Sequence, residues 1–447
     1  MWLMCNTRAY LHFVSPNKRW SFQTHSCPSC MVMLPNPTRI KKMAIHKMKI
    51  RFIFIVTYMS FLAPVHKASL LNATISDLSF KNMDCAMTLY RTISGYHDKN
   101  IFFSPLSISN GFAALSMASN GVTHQEILKG LNLEQLDQAD QPELIPKLFQ
   151  LLNENITQNG SMKLDQSMAL FMRPKFEVEK IFEHQIKTFF DADIKSLDFA
   201  NTEESIRIIN EYIQNKTEGK VVDMISSLDS ATQLMLISTI FFQGTWQKPF
   251  NPNYTDNAPF YIDNYKVVQV PMMFMEDKFY MMEDMSLGVK GLKLPYQEGV
   301  SMLVLLPNRG TDYTVIDEEI TAERFLSWIK NLRKIKLEVI MPKFKMEESY
   351  SLHNLLPHMG MATIFSNSAN LTKLSKNKGL KVSEVLHKAV IEVDEKGTTA
   401  AAATTISITP YSLPRTFTVN RPFSFFIYHE KTNCLLFMGR VIDPTKN

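Results

Sequence analysis

Few residues of this 447-residue chain have the types and spacing that are typical of a catalytic site. No G-x-S-x-G, H-E-x-x-H, G-x-G-x-x-G or P-loop pattern is present, so no hydrolase nucleophile, zinc-protease helix or nucleotide loop is predicted. His387 lies among apolar residues, where a hydrogen-bonded core histidine is a simpler interpretation than a catalytic base. Cys27 and Cys30 have redox or zinc spacing, but no second pair accompanies them. The chain is therefore not predicted to be an enzyme, and neither a metal nor a small-molecule cofactor is expected.

A different kind of chemistry is possible in residues 395–415, EKGTTAAAATTISITPYSLPR, which are uncharged from 398 to 414. A glycine and two prolines indicate a loop. The stretch 406–409, however, alternates apolar and polar β-branched residues, as a strand does. In an extended chain every second side chain shares a face. That face holds no charge and consists of Thr398, Ala400, Ala402, Thr404, Ile406 and Ile408.

The rest of the chain must position this loop, and its patterns predict helices first and strands later. Such an order indicates an α+β domain with large sheets, and no linker divides residues 69–447. The predicted helices cover 77–96, 108–117, 123–131 and 143–154. The predicted strands cover 234–242, 301–307, 337–344, 388–394 and 434–442.

The first 68 residues differ from the remainder in charge. They hold ten Lys/Arg and no Asp/Glu, which leaves 38 basic and 43 acidic residues, a net charge of −5, for residues 69–447. A general nucleic-acid binder is therefore not expected. Residues 48–68 have the charged and apolar regions of a secretory signal, with cleavage near Ala68. Residues 1–47 are interpreted as a non-native or unstructured upstream extension, with translation starting at Met48 or Met43, and a signal anchor is the alternative.

Cysteines and sequons agree with secretion. Outside the upstream extension only Cys85 and Cys434 remain; both are predicted to be free buried thiols, and a bridge between them stays open. Six N-x-S/T sequons after a signal peptide indicate a glycosylated extracellular protein. They lie at Asn72, Asn155, Asn159, Asn215, Asn253 and Asn370.

Several stretches over residues 76–447 together resemble the serpins, clade A. The resemblance implies an α+β serpin fold with three β-sheets, eight to nine helices and an exposed reactive-centre loop at about 395–416. The matching stretches are NIFFSPLSIS (100–109), FFQGTWQKPF (241–250), VPMM (270–273), LKLPYQ (292–297), MPKFK (341–345), HKAVIEVDEKGT (387–398), NRPFSFFIY (420–428) and LLFMGRVIDP (435–444).

The resemblance implies that the loop is bait for a serine protease. In serpins the cleaved loop inserts as a new strand of the main sheet and traps the protease as a covalent acyl complex. A charge on the inserting face would be buried at a cost of several kcal/mol, so the uncharged face is typical of inhibitory members. The hinge would comprise Glu395, Gly397, Thr398, Ala400 and Ala402.

The family's spacing from the hinge glycine places the bait bond at Tyr411–Ser412. The alternative, Arg415–Thr416, would suit trypsin-like proteases but makes the inserting segment four residues too long. Four further residues match positions that control the opening of the main sheet: Trp246, Ser104, Ser107 and His387. Where the family usually has an asparagine partner for this cluster, the chain has Ser238, which leaves the hydrogen bonding of the cluster open.

A tyrosine–serine bait bond, with Tyr265, Glu318 and Asp98, resembles the serpins that use protein Z. This implies coagulation factor Xa as the target and protein Z as a protein cofactor, with factor XIa a second candidate. The protein would act as a plasma monomer that meets membranes only through protein Z. A basic cluster is a candidate heparin site and contains Lys330, Arg333, Lys334 and Lys336. The alternatives are a clade A carrier of a small hydrophobic ligand and an inhibitor of a chymotrypsin-like protease.

Overall fold

The computed structural model describes residues 75–96, 98–157, 163–396 and 415–446, without the side chains of residues 163–165. All of them fall in the unit that spans residues 69–447. The upstream extension, the signal, most of the hinge (residues 397–402), the bait bond Tyr411–Ser412 and the sequons at Asn72 and Asn159 lie outside the described residues. The predicted domain boundaries therefore stay predictions.

Helices dominate the first part of the described chain, as predicted. The second begins earlier than its apolar pattern indicated, because Ser104 caps it by accepting a hydrogen bond from the Ser107 N–H at 3.2 Å and Pro105 occupies the first turn. The helices are α1 (75–94), α2 (Pro105–Ala118), α3 (Gly121–Gly130), α4 (Leu144–Thr157), α5 (Lys180–Phe190), α6 (Thr202–Lys216), α7 (Thr314–Glu319), α8 (Ala322–Lys330) and α9 (Leu352–Leu355).

The strands of the described residues form two hydrogen-bonded layers. Their bounds are β1 (Ile101–Phe103), β2 (Lys163–Met172), β3 (Asp193–Ser196), β4 (Leu234–Gln243), β5 (Thr255–Tyr261), β6 (Val267–Asp284), β7 (Val289–Pro295), β8 (Val300–Pro307), β9 (Arg333–Pro342), β10 (Phe344–Ser351), β11 (Glu384–Val393), β12 (Arg415–Thr418), β13 (Phe423–His429) and β14 (Cys434–Val441).

The five-stranded sheet has the order β10-β11-β4-β2-β3. Its two central strands run parallel, with residues 235–242 of β4 against residues 384–391 of β11, and we name this pairing the seam. The outer neighbours of both strands are antiparallel to them. Strand β4 is buried along nine successive residues, as expected for a central strand covered on both faces.

The nine-stranded layer has the order β1-β14-β13-β8-β7-β6-β9-β12, with β5 beside β6. The 18-residue strand β6 divides it: residues 267–273 pair with β5, whereas residues 280–284 pair with β7. If the nine-stranded layer is counted as two sheets that share β6, the described residues form three sheets together with the five-stranded one. They also include nine helices, and both numbers agree with the prediction.

One predicted strand, residues 337–344, is two strands in different sheets. Strand β9 ends at Pro342, which has no N–H to continue the ladder, and β10 begins at Phe344 in the five-stranded sheet. The residue between them, Lys343, donates its N–H to Pro271 O at 2.9 Å. This crossing places the Lys343 side chain at the junction of the two sheets.

Candidate functional site

The chain enters the predicted hinge from the end of β11, and buried groups hold it there. The Trp246 indole N–H donates to Asp394 O at 2.8 Å, and the Phe250 N–H donates to Glu395 O at 2.9 Å. The Trp246 ring stacks on Tyr296 with centroids 4.0 Å apart. Trp246, which is predicted to lie where insertion starts, therefore contacts the chain directly before the loop.

Glu395 is 7% exposed, and its carboxylate is bound from two sides. Lys343 Nζ lies 2.7 Å from one oxygen, and Thr255 Oγ1 donates to the other at 2.8 Å. Burial alone would raise the pKa of Glu395, but these hydrogen bonds and the charge of Lys343 lower it below its ordinary value. Sequence reasoning missed Lys343 and Thr255, although Lys343 belongs to the MPKFK stretch. We name Trp246, Thr255, Lys343 and Glu395 the hinge anchor.

A second cluster joins the N-terminus of α2 to both strands of the seam. The Ser104 N–H donates to His387 Nε2 on β11 at 3.1 Å, and the Ser107 and Ser238 hydroxyls lie 2.6 Å apart, which links α2 to β4. Ser104 Oγ donates to Leu436 O at 2.7 Å. The structure thus brings Ser104, Ser107 and His387 together, and Ser238 belongs to the same cluster through its contact with Ser107. Their role in the opening of the sheet stays a prediction.

His387 is held neutral by this geometry. Its Nε2 accepts a hydrogen bond, so a neutral ring carries its proton on Nδ1. Complete burial lowers the pKa of His387 to about 3, against a weaker opposing effect of the Ser238 backbone. Because Nε2 accepts from the Ser104 N–H, the ring serves as a structural acceptor between the start of α2 and β11.

On the far side of the loop, the chain returns in a paired strand. Strand β12 lies parallel to β9, with Arg415 opposite Leu337 and Thr416 opposite Glu338. Thr416 Oγ1 also lies 3.3 Å from the Glu338 carboxylate. A protease binds its substrate as an unpaired extended segment, so the alternative bait bond Arg415–Thr416 would first have to leave this sheet.

The predicted protein Z contacts lie on exposed turns. Tyr265 is 98% exposed at the tip of the β5–β6 hairpin, where Asp263 Oδ1 accepts the N–H groups of Tyr265 and Lys266, both at 2.7 Å. Tyr265 therefore does not pack on the sheet. Segments 261–264, 307–313 and 420–422 surround a cleft of about 740 Å³ beside this tip.

Asp98 is close enough to Tyr313, which lines this cleft, to act on its pKa, and Glu318 belongs to the helix that follows Tyr313. Glu318 is an exposed residue of α7, while its neighbour Asp317 is buried, accepts from Tyr90 Oη at 2.5 Å and pairs with Arg440. Tyr313 directly precedes α7. Burial raises the pKa of Tyr313, and the negative charge of exposed Asp98 raises it further. We name Tyr265, Glu318 and Asp98 the partner face.

The four residues of the candidate heparin cluster are exposed, and two of them contact other side chains. Lys336 pairs with Glu276 at 2.5 Å, and Lys334 Nζ lies 5.3 Å from the Tyr280 ring centroid. Lys330 ends α8, and Arg333 begins β9.

Three of the described sequons, Asn215, Asn253 and Asn370, are exposed. Asn155 is half-buried, and its Nδ2, the atom to which a glycan would be attached, donates to Leu151 O at 2.7 Å.

Cys85 and Cys434 are free, and burial raises the pKa of each thiol to about 12. Among the residues that the structure describes, no group of three or more His, Cys, Asp or Glu side chains could hold a metal ion. Within the same set, no helix has the length and apolar character needed to cross a membrane.

Comparison with known proteins agrees with this geometry. The family model described as "Serpin (serine protease inhibitor)" matches residues 80–444. The chain therefore belongs to the serpin family, and the α+β serpin fold predicted from the sequence is confirmed.

Among its relatives, the human protein Z-dependent protease inhibitor is 37% identical over 376 residues, which are 84% of each chain. The crystal structure of mouse protein Z-dependent protease inhibitor matches with a TM-score of 0.79 and 36% identity, covering 84% of this chain and 98% of that one. Human thyroxine-binding globulin in complex with its hormone matches with a TM-score of 0.77 and 32% identity, covering 83% and 99%.

Proposed function

We propose that this serpin is a secreted suicide inhibitor of coagulation factor Xa that uses protein Z as its cofactor, with factor XIa as a second target. The observation that carries the proposal is the seam: α2 holds its two strands together through one hydrogen bond to each. Cleavage at Tyr411–Ser412 would free the loop from residue 397 to enter between β4 and β11.

The seam supports such an insertion. A strand that follows β11 and turns back runs antiparallel to both β4 and β11, so it replaces one parallel ladder by two antiparallel ladders. It also moves β4 and β11 apart by about 4.8 Å, so the α2 links to Ser238 and His387 cannot both persist. The uncharged alternate residues of the loop would then enter the core without burying a charge.

The partner face supports a separate protein contact. Tyr265 offers a fully exposed aromatic side chain on a turn fixed by Asp263, and exposed Glu318 lies on a helix anchored by buried Asp317. Tyrosine is a common hot-spot residue in protein interfaces. The hairpin belongs to the nine-stranded layer and the seam to the five-stranded sheet, so a cofactor bound at Tyr265 would use a different layer from the one that takes up the loop.

The tyrosine of the bait bond would make the loop a poor substrate for factor Xa, and a cofactor could compensate for this. Factor Xa has a specificity pocket built for arginine, and Tyr411 cannot pair with the carboxylate at its base. A cofactor that holds inhibitor and protease on one anionic membrane raises their effective concentration without a new loop contact. Inhibition is therefore expected to be slow alone and fast with protein Z, calcium and anionic phospholipid.

The test is the second-order inhibition rate of factor Xa for the wild type and Tyr411→Arg, each with and without protein Z on phospholipid. We expect the variant to inhibit quickly alone and to gain far less from the cofactor. The matched control is Ser412→Ala, which keeps the tyrosine. Equal acceleration of wild type and Tyr411→Arg would contradict this explanation of the tyrosine.

We also propose that heparin binds at the basic cluster of Lys330, Arg333, Lys334 and Lys336. A carrier function is supported by the likeness to thyroxine-binding globulin. The uncharged alternate face of residues 398–408 favours the inhibitor over the carrier, because that face can be buried without a charge.

A further inference from the structure

Two segments of the described chain carry a large surplus of positive charge. Residues 173–181 and 373–381 together hold seven basic and two acidic residues, a net charge of +5. Residues 69–447 as a whole carry a net charge of −5, so the surplus is local. A strong local charge on a protein of opposite net charge indicates a surface for a partner of the other sign.

The fold holds the two segments side by side. Asn377 Nδ2 donates to Lys175 O at 2.6 Å, and the Glu179 N–H donates to Leu374 O at 2.9 Å. Lys376 Nζ also lies 3.7 Å from the Glu179 carboxylate. Lysines of both segments therefore share one surface, although Asn377 and Lys175 are 202 residues apart in the chain. We name Ile181 and the six lysines of the two segments the basic face.

Most of the positive charge on this surface is not neutralised within the described residues. The Arg173 guanidinium donates to the carbonyl oxygens of Ser230 and Thr232, and Lys376 pairs with Glu179. The other basic side chains form no salt bridge in the part of the chain that the structure describes, and all but half-buried Lys381 are exposed. They are Lys175, Lys180, Lys373, Lys378 and Lys381.

An exposed apolar side chain adjoins these lysines. Ile181 follows Lys180 in the first turn of α5 and is 74% exposed. A lipid bilayer takes up cationic and apolar side chains together at its surface. A sulfated polysaccharide would also meet the lysines, but it offers no apolar group to Ile181, so the pair of features favours a membrane.

The kind of cation on this surface agrees with that choice. Arginine is the side chain best shaped to bind one phosphate or sulfate in a fixed bidentate geometry. The single arginine of the two segments, Arg173, uses its guanidinium within the fold. The five lysines, with flexible stems and compact charges, instead suit a surface of mobile lipid headgroups.

The basic face lies at the opposite end of β11 from the hinge anchor. Strand β11 begins at Glu384, three residues after Lys381, and ends at Val393, two residues before Glu395. Its ten residues span about 33 Å in an extended strand. Contact of the basic face with a membrane would therefore not involve the residues of the hinge anchor.

We propose that the basic face binds directly to an anionic phospholipid surface, with its lysines at the lipid phosphates and carboxylates and Ile181 in the headgroup layer. Near such a surface each lysine strengthens binding about fivefold, which gives reversible binding without protein Z. This inference goes beyond the proposed function, and it departs from the expectation that the chain meets membranes only through protein Z.

The test is flotation of the full chain with phosphatidylcholine vesicles that contain roughly one third phosphatidylserine, without protein Z or calcium. We expect the protein to float with these vesicles and not with vesicles of phosphatidylcholine alone. Binding should fall steeply when the ionic strength rises from about 0.1 M to about 0.5 M, because salt screens exposed charges.

Variants of the basic face separate its two contributions. The triple variant Lys175→Gln, Lys373→Gln, Lys378→Gln is expected to weaken vesicle binding about thirtyfold or more. Ile181→Ser should weaken it about three- to tenfold, because it removes the apolar contact. Each substitution is on the surface, so the melting temperature should stay close to that of the wild type.

The matched control removes the same number of charges from exposed lysines elsewhere: Lys129→Gln, Lys345→Gln and Lys431→Gln. We expect it to change vesicle binding less than about twofold. Equal losses in the two triple variants, equal flotation with phosphatidylcholine alone, or no flotation with phosphatidylserine would each overturn the proposal. Binding of a heparin oligosaccharide at the basic face without vesicle flotation would assign the face to a sulfated polysaccharide and would also overturn it.

Discussion

The two layers of this serpin differ at their centres. From β14 through β13, β8, β7 and β6 to β9 the nine-stranded layer is antiparallel at every step, whereas the centre of the five-stranded sheet is the parallel seam. Parallel pairing is slightly less stable per residue, and here the Ser104 N–H and the Ser107 hydroxyl at the start of α2 each form a hydrogen bond to one of its strands. The difference locates the proposed insertion at the seam of the five-stranded sheet, while the antiparallel strands of the nine-stranded layer would stay paired as they are.

The same contrast separates the two proposed activities. Trapping a protease would use the seam and the hinge anchor in and beside the five-stranded sheet. Cofactor binding would use Tyr265 on the nine-stranded layer. Variants in one layer should therefore leave the activity of the other intact.

The largest expected effect comes from a charge on the inserting face. Thr398→Arg would place a guanidinium at the first inserting position, where burial costs several kcal/mol. The variant should be cleaved as a substrate and form almost no SDS-resistant protease complex, while protein Z affinity stays unchanged. Complex formation at the normal yield would refute insertion between β4 and β11.

Removing the aromatic side chain of the partner face should give the complementary result. Tyr265→Ala should weaken protein Z binding about tenfold or more, because exposed aromatic anchors often contribute about 2 kcal/mol or more. Inhibition without the cofactor should not change. The control is Tyr261→Ala on the same hairpin, and an unaltered affinity for Tyr265→Ala in a binding titration would contradict the proposed contact.

The buried histidine of the seam predicts a pH dependence. The pKa of His387 is about 3 in the fold and about 6.5 when unfolded, so the unfolded chain binds the extra proton between these values. Its contribution to stability is complete above pH 6.5 and falls by up to about 1.4 kcal/mol per pH unit as the pH drops towards 3. Urea unfolding of the wild type and His387→Gln over this window should show a smaller acid loss in the variant; parallel curves would count against the assignment.

The smallest effect concerns one hydroxyl pair. Ser238→Ala removes the link to Ser107 and should lower the free energy of unfolding by about 1 kcal/mol. The adjacent Thr239→Val is a matched control, because the buried Thr239 hydroxyl has no hydrogen-bond partner among the described residues. Urea unfolding should separate the two variants, and equal losses would remove the special role of Ser238.

Patterns in the sequence predicted the elements better than the contacts between them. Apolar periodicity located helices such as α4 and the buried strand β4, because the buried face of such an element carries apolar residues at a regular spacing. The Lys343–Glu395 pair could not be found in this way, since its members lie 52 residues apart and meet only where two sheets cross. Likewise, the resemblance identified Ser238 at the position of the family's asparagine, but not its hydroxyl contact with Ser107, which requires α2 and β4 to meet.

The central claim is that the cleaved loop enters the seam. The most direct measurement is the melting temperature of the protein before and after a single cleavage in the loop, with the fragments kept together. Two antiparallel ladders in place of one parallel ladder predict a large rise in melting temperature after cleavage, and Thr398→Arg should show a much smaller rise. An unchanged melting temperature for the cleaved wild type would contradict the account.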